Sequence, residues 1–101
     1  MNYEGIFNEI REHCLIGEGA NMDAVMAILD RADLPETRAV DFYLGLTDNP
    51  AGEERLEWYL FGGSRRQRNY CALFFARRNR WDLVNRAYSE GKIDYRQAYS
   101  R

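Results

Sequence analysis

Seven consecutive residues, Tyr70-Cys71-Ala72-Leu73-Phe74-Phe75-Ala76, are apolar or aromatic and lie between two arginine clusters. Arg65, Arg66 and Arg68 precede the run, and Arg77, Arg78 and Arg80 follow it. Ser64 and Gln67 have capping-box spacing, in which hydroxyl and carboxamide each satisfy a backbone N–H of the other residue. This start predicts a helix over Ser64–Asn79. At 100° per residue the apolar run covers the full circle. A helix apolar all round is buried all round. Tyr70, Leu73, Phe74 and Phe75 are therefore the expected core, with the other elements wrapped around them.

Short helices account for the rest of the chain. Tyr3, Ile6, Phe7, Ile10 and Cys14 recur at three and four residues, which predicts a helix over Asn2–Cys14. Gly17 and Gly19 read as a C-cap and loop within Leu15–Ala20. Asn21 reads as the next N-cap, followed by a stripe of Met22, Val25, Met26, Leu29 and Ala32. Asp33-Leu34-Pro35-Glu36 begins a third helix, with proline in its first turn and Val40, Tyr43 and Leu44 on its apolar face. Thr47 to Gly52 is a turn cluster. Helices over Glu53–Phe61 and Trp81–Glu90 follow, the latter with Leu83, Val84, Ala87 and Tyr88 inward and Gly91 as C-cap. Asp94 caps a last turn over Tyr95–Ser100. No alternating β-branched run, repeat or low-complexity tract occurs. The expected fold is all-α: a single compact domain over residues 1–101, six or seven short helices around a central buried helix.

Charge divides the chain. Residues 1–61 hold 4 Arg against 13 Asp and Glu, a balance of −9. Residues 62–101 hold 9 Arg and one Lys against Asp82, Glu90 and Asp94, a balance of +7. The basic residues are thus almost all arginine, whose planar fork suits carboxylates, phosphates and aromatic faces. No apolar run is long enough to span a membrane. The first twelve residues carry Glu4, Glu9 and Glu12 and no basic leader, so a cytoplasmic location is expected.

Arginine at a helix C-terminus complements the helix dipole, whereas arginine at an N-terminus opposes it. Arg65, Arg66 and Arg68 therefore need compensation. One form is internal pairing with Glu53, Glu54 or Glu57. The other is an external anion: Gly62-Gly63-Ser64 would offer backbone N–H groups at the helix start, and the arginines charge-assisted bonds. On that second reading the candidate partner- or anion-binding residues are Gly63, Ser64, Arg65, Arg66, Arg68, Arg77, Arg78, Arg80 and Trp81. Of the three N-terminal arginines, Arg65 and Arg66 are expected outward and Arg68 inward.

Signals for catalysis are thin. His13 and Cys14 are adjacent on one helix and point about 100° apart, so they do not form a nucleophile–base pair. Cys71 falls in the expected core, where a thiol is inert. With two cysteines and one histidine, neither a disulfide framework nor a metal site is expected. No cofactor motif is present, and the chain does not read as an enzyme. Trp58, Trp81, Tyr95 and Tyr99 stand near arginines or glutamates. Such a surface suits protein hot spots or base stacking.

Gln67–Arg78 (QRNYCALFFARR) and Ile93–Arg101 (IDYRQAYSR) resemble the C-terminal part of small proteins of bacterial integrative elements and prophages. The resemblance implies a mobile-element origin. Among small acidic proteins of that origin are inhibitors of host defence, including anti-CRISPR proteins. It transfers no catalytic residue. The expected function is a binding protein that acts by occlusion, as an inhibitor of a CRISPR-Cas-type nuclease complex, with its acidic half mimicking nucleic-acid charge. The alternative is a nucleic-acid-binding regulator that uses the arginine-rich half.

Overall fold

Local capping chemistry divides the chain into helices. The computed structural model describes residues 2–99. Among these it contains seven helices and no strand: α1 (Glu4–Ile16), α2 (Gly19–Arg31), α3 (Leu34–Leu44), α4 (Pro50–Gly62), α5 (Arg65–Arg77), α6 (Trp81–Ser89) and α7 (Tyr95–Tyr99). The protein is all-α. No helix among the described residues is long and apolar enough to cross a membrane.

Three helix starts follow the predicted chemistry. Asp33 and Glu36 form a capping box on α3, with Pro35 in the first turn. Ser64 and Gln67 do the same on α5, and the Asp94 carboxylate accepts the Gln97 N–H on α7. The predicted Ser100 end of α7 lies outside the described residues.

Two starts differ. α2 begins at Gly19, not after Asn21, because Glu18 is the cap and Asn21 is its capping-box partner at the third helical position. α4 begins at Pro50, inside the stretch read as a turn. Asn49 supplies the reason: its side-chain oxygen accepts the Ala51 N–H at 3.0 Å, and Pro50 follows as a preorganised first residue.

The chain divides into two compact units, Met1–Arg55 and Leu56–Arg101, with the boundary inside α4. In the first unit α1, α2 and α3 pack on one another. Ile10, Cys14, Met22, Val25, Met26, Leu29, Val40 and Leu44 are buried there. Buried Thr47 donates its hydroxyl to the Cys14 carbonyl at 3.1 Å. Gly52 lies so near Gly17 that a Cβ would fall 2.2 Å from the Gly17 carbonyl oxygen, so only glycine fits.

In the second unit α5, α6 and α7 pack on one another. Cys71, Ala72, Phe74, Phe75 and Ala76 are buried on α5, as expected, but Tyr70 and Leu73 are half-buried. These two share a face of α5 with Arg66 and Arg77, both exposed. Tyr88, expected inward beside Leu83, Val84 and Ala87, is exposed.

The ends of α5 and α6 share one geometry. Asn79 (φ 60°) and Gly91 (φ 73°) adopt left-handed backbone. The Arg80 N–H reaches the Phe75 carbonyl and the Asn79 N–H that of Ala76; Lys92 and Gly91 repeat this on Ala87 and Tyr88. Both are Schellman motifs.

Candidate functional site

The first turn of α5 holds most of the predicted anion-binding residues, and its backbone is largely committed. The Ser64 N–H donates to Gln67 Oε1 at 2.8 Å, and the Gln67 N–H to Ser64 Oγ at 3.1 Å. A Cβ on Gly63 would lie 2.7 Å from the Tyr59 carbonyl oxygen and 2.8 Å from Gln67 Oε1. On Gly62 it would lie 3.1 Å from the Trp58 ring. The glycine pair thus lets α4 and α5 meet at a tight corner. The donors of the capping box face one another.

The three arginines diverge. Arg68 turns inward, as its helical angle implies. Its Nε donates to the Lys92 carbonyl at 2.7 Å and its Nη1 to the Gly63 carbonyl at 2.8 Å. It ties the α4–α5 corner to the loop after α6. Arg65 and Arg66 are exposed.

A cleft of about 180 Å³ opens beside this turn, lined by Arg65, Arg68, Asn69, Lys92 and Asp94 together with Gly91 and Ile93. Asn69, Lys92 and Asp94 were not among the predicted anion-binding residues: Asn69 carries no charge to mark it, and Lys92 and Asp94 reach Arg65 only through the loop between α6 and α7.

The other predicted residues lie at the far end of α5. Arg78 places its guanidinium 4.2 Å from the Phe74 ring centroid. Arg80 forms a two-point pair with Asp82, both contacts 3.1 Å, and this bond holds the Asp82 carboxyl below its ordinary range. Arg77 is exposed.

Trp81 belongs to a different constellation. α6 puts Trp81, Asn85 and Tyr88 on one face at i, i+4 and i+7. α7 adds Tyr95 and Tyr99. Tyr99 stacks on Trp81 with centroids 6.5 Å apart and meets Tyr88 edge-on at 5.5 Å. Tyr95 lies 5.0 Å from Tyr99 and 6.1 Å from Tyr88. The Tyr99 hydroxyl donates to Asn85 Oδ1. Despite these contacts Trp81, Tyr88, Tyr95 and Tyr99 remain 39%, 40%, 62% and 40% exposed. Tyr88 is the member that sequence reasoning missed, although its place seven residues after Trp81 was the available signal.

Cys14 and Cys71 are buried thiols that form no disulfide. Burial pushes the Cys14 thiol up to about 12 and raises that of Cys71 as well. Neither thiol is poised as a nucleophile at neutral pH. Among the described residues no three His, Cys, Asp or Glu side chains are grouped to hold a metal ion.

Comparison with protein-family models, curated proteins and solved structures finds no match to this chain.

Proposed function

We propose that this protein is a binding module that occludes the surface of a partner protein, with the aromatic face of α6 and α7 as its contact surface. The observation that carries the proposal is the four-ring cluster of Trp81, Tyr88, Tyr95 and Tyr99, whose members touch one another and yet stay open to solvent. Tryptophan and tyrosine offer large, rigid contact area with a polar handle and are enriched among residues that dominate binding energy. The rings hold each other in place, so little side-chain entropy is lost on docking.

The resemblance of residues 67–78 and 93–101 to mobile-element proteins favours a host defence nuclease complex as the partner. Residues 1–55 hold 4 Arg against 12 Asp and Glu, a charge suited to a groove that normally holds nucleic acid.

A second reading rests on the opposite balance of residues 56–101, with 10 basic residues against 4 acidic ones. Exposed rings beside arginines also stack single-stranded bases.

One experiment separates the two. Purified full chain is titrated into target-DNA cleavage by guide-loaded defence nuclease complexes, beside fluorescence anisotropy of labelled single-stranded DNA. The occlusion reading predicts stoichiometric loss of cleavage and no DNA binding at moderate salt. Undiminished cleavage with salt-sensitive DNA binding would favour the second reading.

A further inference from the structure

We infer that the cleft beside the first turn of α5 is a binding site for a phosphate group. No residue of the aromatic face lines it, so the inference stands apart from the occlusion reading.

Four donors converge there from two parts of the second unit. Arg65, Arg68 and Asn69 lie at i, i+3 and i+4 on α5 and so share a face. Lys92 comes from the loop after α6. The side chains of Arg65, Asn69 and Lys92 have no hydrogen-bond or ion-pair partner among the described residues. Arg68 is different, and its difference matters. Two of its N–H groups are spent on the Lys92 and Gly63 carbonyls. Its guanidinium plane is fixed before any ligand arrives, with further donors still on it. A ligand does not have to order that side chain, which removes part of the usual cost of binding. The Lys92 backbone is held as well, by the Schellman bond from its N–H to the Ala87 carbonyl at 2.9 Å.

Charge and size select the ligand. Three cations stand against one carboxylate, Asp94, which is itself engaged by the Gln97 N–H at 2.8 Å. The net of +2 matches a phosphate dianion. A carboxylate carries half that charge and offers two acceptor oxygens to four donor-bearing side chains. At about 180 Å³ the cleft is smaller than the roughly 300–1,000 Å³ of sites for drug-sized ligands. It takes an ion or a single functional group.

The test is isothermal titration of the full chain with inorganic phosphate, phosphoserine and acetate at ionic strength held constant with potassium chloride. Saturable one-site binding of phosphate or phosphoserine is expected, with acetate weaker. Tighter phosphoserine identifies a phosphate ester as the ligand, and tighter inorganic phosphate the free ion. Arg65→Glu and Lys92→Glu should each weaken binding about tenfold or more, since each reverses a charge at the ligand. Arg11→Glu, on exposed α1 surface, should not. Absence of saturation, an equal response to acetate, or equal loss in the Arg11 variant would overturn the assignment.

Discussion

Arg65, Arg66 and Arg68 share one turn of helix and one functional group, but their surroundings give them different work. Arg68 bonds two backbone carbonyls whose own helices have ended, and so acts as a brace between the α4–α5 corner and the loop at Lys92. Hydrogen bonds to a charged donor typically contribute about 1.5–3 kcal/mol. Arg68→Met keeps most of the stem and removes both bonds. It should lower the melting temperature by about 5–15 °C, given how steeply small domains respond to lost free energy. Arg65→Glu should leave melting unchanged or raise it, because a negative charge suits a helix N-terminus. Thermal unfolding by circular dichroism distinguishes these outcomes. Equal destabilisation by both changes would mean that Arg65 is also braced. The inward turn of Arg68 was legible from its angle on α5. Its acceptors were not, since the Lys92 carbonyl lies 24 residues away in the chain.

Helix boundaries were readable wherever the signal was local. Asp33, Ser64 and Asp94 cap the helices that their spacing implied, because a side chain bonding its own backbone two or three residues on needs no tertiary context. Asn21 misled because asparagine serves equally as a cap and as the partner of one, and only Glu18 in extended backbone decides which. The Asn49-Pro50 start was hidden by Gly52, a residue typical of turns. Here it sits inside a helix because its backbone meets Gly17. The C-terminal Schellman motifs carry a prediction of their own. Asn79 tolerates φ 60° where a β-branched residue would not. Asn79→Gly should be within about 0.5 kcal/mol of the parent, and Asn79→Val should cost about 1–2 kcal/mol, the usual penalty for left-handed backbone. Urea unfolding of the two variants measures the difference. Equal stability would show that the turn relaxes.

At the scale of the whole chain, the all-α class was legible because three-and-four spacing and caps recur from end to end. The division of charge was also legible, and it follows the two units: residues 1–55 are acidic and residues 56–101 basic. The candidate surface was only half legible. Trp81, Tyr95 and Tyr99 stood out by composition, but Tyr88 was assigned to the core because it follows buried Leu83, Val84 and Ala87. The face of α6 against α5 is narrow, and Tyr88 falls on the side shared with Trp81 and Asn85. Four rings that stay exposed contribute less to folding than buried ones, so their removal should affect binding before stability. Tyr95, the most exposed of them, gives the most direct test. The measurement is inhibition of target-DNA cleavage by the wild-type chain and by Tyr95→Ala, with thermal melting of both. On the proposed occlusion reading, Tyr95→Ala loses inhibition about tenfold or more, as expected for a central aromatic contact, while its melting temperature stays within about 4 °C of the parent. Full inhibition by a folded Tyr95→Ala protein would contradict it.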